Sequence, residues 1–386
     1  MRICYLANAG SAHTIRWVEY FDKKGHDVHL ISPKPLENNK VDNVKVHVLW
    51  EFPFQIRFIS FILNLLSQYI QIKSLIRRIK PDIIHAHYIT DYGHIGALSG
   101  FHPFVLSAWG SDILVSPKKS RSAKIQVQFA LSKADAVITP SEYLKESLIS
   151  QFGLPKNGAR AIPWGTDLAV FHRGYHDDVK AIRRELGLAD TSYLILSPRH
   201  MGVHYRIEYI VQAIPYILAK HPETVLILLK GASQDNTYES MIDNLCTELS
   251  VSGNIRIIRR ELSPQEMAVL YNACDALVSI PKTDCFAISI QEGMVCGLIP
   301  VVADLEVYRQ YLADGENAFF VDPENPQQIA QKLIYCIEHP ELKERYYQMN
   351  TMIIEEKENW HKNMPTMEEL YTSLLSASSQ TRVRLT

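Results

Sequence analysis

The chain has 386 residues, a formal net charge of −2, and 47% hydrophobic and 21% charged residues. This balance is typical of a soluble globular protein, the length predicts two domains, and the charge gives no strong field for nucleic acid. The six cysteines are scattered without a Cys-x-x-Cys pair, so we expect reduced thiols. The N-terminal apolar run is too short for a signal peptide and FISFILNLL is too short for a membrane span, which predicts a cytoplasmic protein.

Strands and helices alternate in the first part of the sequence. A strand (2–8), a helix (13–25) and a second strand (26–32) form a βαβ opening, which favours a right-handed parallel sheet. IPWGTD at 162–167 interrupts the alternation with proline and glycine. Before that break, further strands are predicted over 82–88, 104–110 and 134–141.

A second alternating series begins at Tyr193. The two series predict an α/β protein with tandem, doubly wound Rossmann-like domains and a linker near 164–180. Ligands of such sheets bind outside the carboxyl ends of the strands, so we expect the site in a central cleft between the domains. The strands of the second series are predicted over 193–199, 224–231, 254–260, 276–281, 300–304 and 318–322. Its helices are predicted over 207–221, 263–274 and 326–338, with another around 237–250.

The stretch TDCFAISIQEGMVCGLIPVVA (283–303) places two acids around an apolar segment at the predicted start of a helix. Free N–H groups at a helix N-terminus favour phosphate, and Phe286 to Ile288 present such amides. The carboxylates of Asp284 and Glu292 would repel phosphate and suit hydroxyl groups instead. A nucleotide-sugar, with phosphate in its middle and hydroxyls at both ends, fits this pattern.

This stretch resembles the signature of retaining family 4 glycosyltransferases, which have the two-Rossmann GT-B fold. Their signature has two Glu separated by seven residues, with Phe-Gly two residues after the first and a Gly-x-Pro-Val run behind. The likeness extends over nearly the whole chain, through PDIIHAH, ADAVITPSEYL, IPWGTD, YNACDALVSIP and a closing segment from Trp360 to Tyr371. The signature positions read Asp284, Phe286, Ala287, Glu292, Gly297, Pro300 and Val301.

The resemblance implies two domains with separate tasks. An N-terminal acceptor domain would cover 1–168, completed by a C-terminal helix near 366–386 that crosses back to it, and a donor domain would cover 169–365. In the donor domain, Glu292 would hold the ribose hydroxyls, Asp284 would face the donor sugar, and Arg199 would pair with the diphosphate. The backbone amides of Phe286, Ala287 and Ile288 would hold the same diphosphate, and Lys230 with Gly231 forms either a turn or a further phosphate contact.

Several positions depart from the family pattern. The family has Arg and Lys on the diphosphate, whereas here Tyr205 falls nearest the Lys position and Arg206 is left to supply the second charge. In the acceptor domain, Trp109 stands where many members have a His facing the donor sugar. Either Trp109 stacks on a sugar face or the polar role moves to Asp112 or His87. Gly10 and His13, in and after the first βα loop, are the remaining candidates for an acceptor contact.

The implied activity is transfer of a hexosyl group from a nucleotide-diphosphate sugar, UDP being one candidate, to a saccharide or lipid-linked hydroxyl in cell-surface glycan, polysaccharide or glycolipid synthesis. Arg199 and the helix N-terminus would stabilise the departing phosphate, so the resemblance implies no metal site and no cofactor. The alternatives are a nucleotide-sugar epimerase of the same architecture and a non-catalytic nucleotide-sugar binder. A dinucleotide dehydrogenase is disfavoured, because NAGSAH is not Gly-x-Gly-x-x-Gly.

Two basic segments raise the question of a membrane partner. Residues 52–82 mix aromatic, aliphatic and basic side chains in a helical pattern, and a second basic run spans 118–124. Docking on an anionic inner membrane surface is one interpretation, and a core-packing helix with a solvated basic face is the other.

Overall fold

The computed structural model describes residues 1–35, 41, 43–50, 57–231 and 236–384, without the side chains of 57–62, 65 and 378–384. The chain divides into two compact units, Met1–Ile162 with Met364–Thr386, and Pro163–Asn363. Each unit is an α/β unit on a parallel sheet, which confirms the predicted fold class.

In the described residues, the first unit has a seven-stranded sheet of order β3-β2-β1-β4-β5-β6-β7. The central strands β1 and β4 are almost fully buried because helices cover both faces of the sheet. The strands are β1 Arg2–Leu6, β2 Asp27–Ser32, β3 Lys45–Val48, β4 Ile83–His87, β5 Phe104–Ser107, β6 Ala136–Thr139 and β7 Arg160–Ala161. The helices are α1 Ala12–Lys23, α2 Arg57–Ile79, α3 His94–Ser99, α4 Ser111–Leu114, α5 Ser116–Lys119, α6 Arg121–Lys133 and α7 Glu142–Phe152.

The second unit, over its described part, has a six-stranded sheet of order β10-β9-β8-β11-β12-β13. Its strands are β8 Leu194–His200, β9 Val225–Leu229, β10 Ile255–Ile258, β11 Ala276–Ser279, β12 Ile299–Ala303 and β13 Phe319–Val321. Its helices are α8 His176–Glu185, α9 Ile207–Leu218, α10 Asn236–Glu248, α11 Pro264–Ala273, α12 Ile288–Val295, α13 Pro326–Glu338 and α14 Glu341–Lys357. A last helix, α15 Trp360–Arg384, starts in this unit.

The strand order reverses between β1 and β4 in one sheet and between β8 and β11 in the other. Such a switch point leaves a crevice at the carboxyl ends of the two strands, which is where open α/β sheets bind ligands. Helix α12 packs closely on β11 there: a Cβ on Gly293 would lie 2.4 Å from Cδ2 of Leu277. Gly293 therefore sets how near α12 comes to the sheet.

The structure adds elements that the sequence patterns did not predict. The short strands β3 and β7 lie at the two edges of the first sheet. Helix α8 occupies part of the segment predicted as a linker near 164–180, so that prediction was wrong from His176 onward. Helix α8 has few apolar residues, but acids in its first turn and arginines in its last turn match the helix dipole.

Helix α15 connects the end of the chain to the first sheet. From Met364 onward its residues belong to the first unit, which confirms the predicted crossing. The buried hydroxyl of Tyr371 lies 3.2 Å from the Tyr5 hydroxyl and bonds to Nδ1 of His85. The other ring nitrogen of His85 lies 2.7 Å from Ser107 Oγ. A buried polar network thus ties α15 to β1, β4 and β5.

Helix α2 is one continuous helix over most of the basic segment predicted between 52 and 82; residues 52–56 and the Arg57 side chain lie outside the described residues. Leu66 and Ile70 on α2 are exposed, as is Trp50 just before it. Among the described helices, none has an apolar stretch of the length that a bilayer requires.

Candidate active site

Arg199 and Asp284 form an ion pair at the switch point of the second sheet. Arg199 lies near the end of β8 and Asp284 follows β11, so both stand at the carboxyl edge. Arg199 Nη1 is 3.2 Å from Asp284 Oδ2, and the two side chains are 12% and 9% exposed. The Tyr308 hydroxyl donates a hydrogen bond to the same Oδ2 at 2.6 Å, and the Cys285 N–H donates to Oδ1 at 2.8 Å. Asp284 is thus held by three donors and in turn fixes the guanidinium.

The guanidinium of Arg199 also lies over an aromatic ring. Its central carbon is 4.4 Å from the ring centroid of Tyr205, the residue nearest to the family's Lys position. Burial by itself lowers the pKa of Arg199, but the Asp284 carboxylate opposes this and the net shift is upward. The structure therefore sets a permanently cationic, preoriented arginine at the switch point, supported by an aromatic residue where the resemblance implies a lysine.

The turn that starts α12 is built on Phe286. This residue has a φ of +67°, its side chain is 3% exposed, and its ring stacks on Tyr311 with centroids 4.1 Å apart. Because the ring is buried, only the backbone of Phe286 is available to a ligand. Ala287 is the N-cap of α12 and has no side-chain oxygen to occupy the first amides of the helix. The amides of Phe286, Ala287 and Ile288 are therefore grouped at the start of α12, as the anion-site prediction requires.

Glu292 lies in the second turn of α12 and is half-buried. The Tyr271 hydroxyl donates a hydrogen bond to Glu292 Oε2 at 3.3 Å. Burial, together with the Glu292 charge, raises the pKa of Tyr271 well above its usual value, so Tyr271 remains a donor. Glu292 is thus oriented on the same short helix whose N-terminus follows Asp284.

Three further residues predicted to bind the nucleotide-sugar donor lie at the carboxyl edge of the second sheet: Arg206, Lys230 and Gly231. The two cationic side chains among them are ion-paired. Arg206 Nη2 lies 2.8 Å from Glu324 Oε1, and Lys230 Nζ lies 2.6 Å from Glu239 Oε2. Gly231 has a φ of +57°, and a Cβ there would lie 2.8 Å from Cβ of His200. Glycine is therefore required at 231 for packing against His200, while ligand contacts of these three residues stay predictions.

The first unit brings His13, His87 and Trp109 together. The ring centroid of Trp109 is 5.8 Å from that of His13 and 5.6 Å from that of His87. His87 is 1% exposed, and neither ring nitrogen has a hydrogen-bond partner in the described part of the chain. Burial, with a smaller effect of His13, lowers the pKa of His87 to about 3. The structure thus holds a neutral imidazole beside Trp109 at the end of β4.

Asp112 has its carboxylate turned to the backbone. Its Oδ1 accepts from the N–H groups of Trp109 and Gly110 at 3.0 and 2.8 Å, and its Oδ2 accepts from Ile89 N–H at 2.8 Å. Burial raises the pKa of Asp112 to about 6. These bonds join the loops that follow β4 and β5, so Asp112 sets the position of Trp109; the predicted catalytic contact stays a prediction.

Gly10 lies in the loop between β1 and α1, with its N–H bonded to Asn8 Oδ1 at 3.0 Å. Among the described residues, a Cβ at this position would meet only that oxygen, at 3.4 Å, so the described fold has room for a side chain there. His85, which alternates with His87, is occupied by Tyr371 and Ser107. Groups of three or more His, Cys, Asp or Glu side chains with metal-binding geometry do not occur among the described residues.

Sequence reasoning missed two tyrosines that orient the predicted acids. Tyr271 lies in YNACDALVSIP, which belongs to the resemblance, but nothing in its spacing points to Glu292. Tyr308 follows Asp284 by 24 residues and reaches it through the loop after β12. A contact of this kind depends on the tertiary fold and leaves no local pattern.

Two Rossmann-like units in tandem are the architecture of GT-B glycosyltransferases. HepE of Anabaena, solved in complex with UDP-glucose, superposes with a TM-score of 0.81 at 18% identity, covering 97% of this chain and 100% of that chain. Family models described as glycosyl transferase 4-like and glycosyl transferases group 1 match residues 2–141 and 178–351. The chain therefore belongs to the group 1, family 4-like glycosyltransferases.

Two proteins with similar sequences are also described as glycosyltransferases. An uncharacterized glycosyltransferase of Methanocaldococcus jannaschii is 24% identical over 363 residues, covering 92% of this chain and 93% of the relative. A second uncharacterized glycosyltransferase of that organism is 26% identical over 267 residues. In that case the alignment spans 65% of this chain and 65% of the relative.

Proposed function

We propose that the protein is a retaining glycosyltransferase that moves a hexosyl group from a nucleotide-diphosphate sugar to a hydroxyl acceptor. The observation that carries the proposal is the fixed guanidinium of Arg199 at the same switch point as the start of α12. A diphosphate needs donors that are already in place, and a buried cation beside a helix N-terminus supplies them.

The proposed chemistry is electrostatic. As the bond between the sugar and the phosphate breaks, negative charge grows on the leaving diphosphate, and donors aimed at that charge lower the barrier. Arg199 stays cationic, and its contacts with Asp284 and Tyr205 keep it from reorganising during the reaction. We propose that these fixed groups act without a metal ion. Turnover that is unchanged by EDTA supports this, and loss of turnover restored by Mg²⁺ or Mn²⁺ contradicts it.

On the acceptor side, we propose that Trp109 contacts the acceptor and that the buried His87 beside it supports the Trp109 ring. His87 is neutral, and Trp109 offers an aromatic face at the carboxyl edge of the first sheet. Aromatic faces stack on sugars, and a neutral imidazole can accept a hydrogen bond. Asp112 is occupied by three backbone N–H groups, whereas the ring nitrogens of His87 have no partner among the described residues, so His87 keeps the spare hydrogen-bonding capacity for the polar role that the sequence left open.

We propose UDP as the first nucleotide to test, because the similar fold of HepE was solved with UDP-glucose. A thermal-shift panel of UDP-, GDP-, ADP- and TDP-sugars identifies the donor, since a ligand well above its dissociation constant stabilises the protein. Incubation with donor alone separates the alternatives. An epimerase converts the sugar, a transferase at most hydrolyses it slowly, and a binder without activity changes neither donor nor any acceptor.

The decisive test is a pair of substitutions. Arg199→Ala and Glu292→Ala are each expected to lower kcat/KM by about 100- to 1,000-fold while the fold is kept, because each removes a donor-site contact. Circular dichroism and melting temperature monitor the fold. Turnover near the wild-type rate in both purified variants contradicts the proposed site.

We also propose that helix α2 and Trp50 bind an anionic membrane surface, where a lipid-linked acceptor would be found. Leu66, Ile70 and Trp50 are exposed apolar side chains, and Lys73 and Arg77 lie one and two turns further along α2. Apolar anchors beside cations are the features that hold a helix at a lipid headgroup layer.

A further inference from the structure

Phe286 holds a backbone conformation that costs free energy. Its φ of +67° lies in the left-handed region, which is strained for a residue other than glycine. Such a conformation persists only where the surroundings hold it. Because Phe286 directly precedes the first amides of α12, whatever holds this residue also sets where those amides point.

The side chain of Gln291, on α12, holds the carbonyl group of Phe286 by a hydrogen bond. Its Nε2 donates to Phe286 O at 3.0 Å, and the other Nε2 hydrogen is directed to Glu358 Oε2 at 3.2 Å. The amide oxygen of Gln291 accepts from Thr166 Oγ1 at 3.2 Å. Gln291 is 2% exposed and Glu358 is 1% exposed. Every polar group of this buried amide is thus occupied, and its orientation is unique.

The partners of Gln291 are themselves joined by the backbone. The Thr166 N–H donates to Glu358 O at 2.6 Å, and the Trp360 N–H donates to Thr166 O at 3.0 Å. Gly165 permits this close approach, since a Cβ there would lie 2.3 Å from Glu358 O. The anchor of Gln291 is therefore a pair of adjacent segments, 165–167 and 358–361, at the two places where the chain enters and leaves the second unit.

We propose that Gln291 is a positioning residue of the donor site. It keeps the Phe286 turn in its left-handed conformation, and Glu358 and Thr166 keep Gln291 in place. Gln291 itself does not touch the donor, because its side chain is buried behind the turn. The consequence for donor binding rests on the proposed function. It is that donor binding depends on Gln291, although this residue lies outside the binding surface.

The test compares Gln291→Leu with two other variants. Leu fills a similar volume and removes all three hydrogen bonds, and Thr166→Val removes only the bond to the amide oxygen. The matched control is Asn254→Ala: the Asn254 amide also donates two hydrogen bonds, to Pro222 O and Thr224 O, but at the amino end of the sheet. Loss of stability alone is common to all three, so stability does not decide.

Two measurements decide. The first is amide hydrogen exchange of peptides covering 284–290 without nucleotide, which we expect to be at least about 10-fold faster in Gln291→Leu, intermediate in Thr166→Val and unchanged in Asn254→Ala. The second is UDP titration by calorimetry, with an expected 10- to 100-fold weaker binding in Gln291→Leu, roughly the effect of a misplaced site.

The outcomes separate this inference from the proposed function. Unchanged exchange over 284–290 in Gln291→Leu overturns the positioning role, whatever the nucleotide data show. Faster exchange with unchanged UDP affinity also overturns it, because the turn then does not govern binding. If the wild-type protein binds no UDP, GDP, ADP or TDP, the proposed function fails and the link to donor binding fails with it, while the exchange result still decides whether Gln291 holds the turn.

Discussion

The hydroxyl of Tyr308 lies 2.6 Å from Oδ2 of Asp284, the oxygen that also pairs with Arg199. Tyr308 is fully buried, and burial, with Asp284 beside it, raises the pKa of its hydroxyl well above the usual value. The hydroxyl therefore donates throughout the working pH range and neutralises part of the Asp284 charge. This shared oxygen therefore sets how strongly Asp284 competes with a diphosphate for the guanidinium of Arg199.

Tyr308→Phe is expected to lower kcat/KM for the donor by about 10-fold. The change leaves Asp284 bound more tightly to Arg199, and a hydrogen bond to a charged group contributes roughly 1.5–3 kcal/mol. Steady-state kinetics with varied donor measures the effect. Tyr346→Phe is the control, because Tyr346 is equally buried and its hydroxyl has no hydrogen-bond partner in the described residues. Equal kinetics in the two variants would show that Tyr308 has no part in the site.

Arg199→Lys is expected to lose nearly as much activity as Arg199→Ala. Lysine keeps the charge but lacks the planar fork that meets a diphosphate with two parallel hydrogen bonds. The measurement is kcat/KM together with the dissociation constant for UDP. Arg183→Lys is the control, since Arg183 donates to the carbonyls of Ala273 and Ser192 at the opposite edge of the sheet. Wild-type kinetics in Arg199→Lys would mean that charge alone is sufficient.

Glu358→Gln is expected to make stability less dependent on pH. Burial raises the pKa of Glu358 from 4.5 to about 8, against smaller opposing effects of Tyr311, Gln291 and Lys357. Between pH 4.5 and 8 the unfolded chain is ionised at this residue and the folded chain is not. The folded state binds the extra proton, so the free energy of unfolding falls as pH rises through this window.

Melting temperatures of wild type and Glu358→Gln, measured from pH 5 to 8.5, check this expectation. The wild type should lose stability relative to Glu358→Gln as the pH rises, whereas the exposed control Glu341→Gln should run parallel to the wild type. A constant difference between wild type and Glu358→Gln across the range contradicts a neutral buried Glu358.

Tyr371→Phe is expected to destabilise the first unit by about 1–3 kcal/mol. The change leaves His85 and Tyr5 without their shared partner in a buried network, and an unsatisfied buried group costs this order of free energy. Urea unfolding followed by tryptophan fluorescence measures it. Tyr335→Phe, at a 43% exposed tyrosine of the other unit, should have little effect. Equal stability of the two variants would remove the network from the forces that hold α15.

Charge reversal on α2 is expected to abolish binding to anionic vesicles at low salt. Lys73→Glu with Arg77→Glu places two acids beside the exposed Leu66 and Ile70, so the surface is repelled by anionic headgroups. Cosedimentation with phosphatidylserine vesicles gives the result. Lys180→Glu with Arg184→Glu is matched in charge and spacing on α8 of the other unit. Equal losses in both double variants would indicate a general charge effect and no docking by α2.

Much of the fold could be predicted from the sequence because both domains repeat one local rule. Buried strands such as DIIHAHY and TVLILLKG alternate with amphipathic helices, and that order gives parallel sheets. The strand order in each sheet could not be predicted. The edge strands β3 and β7 were also missed, because they have only four and two residues.

The candidate site was predictable where a local pattern carries it. The acids at 284 and 292 and the amides between them belong to one stretch, so their positions follow from the start of α12. Arg199 contacts Tyr205 and Asp284, and Tyr308 contacts Asp284. These contacts join segments that meet only in the folded unit. The left-handed φ of Phe286 had no signal either, because the residue is not a glycine.

The crossing of α15 has a consequence for dissecting the protein. A fragment ending at Ile162 would lack the stretch that begins at Met364, so Tyr5 and His85 would lose the phenol that closes their network. We expect such a truncation to be insoluble or partly unfolded. A circularly permuted protein that joins residues 364–384 to residues 1–162 is the better way to isolate the first unit.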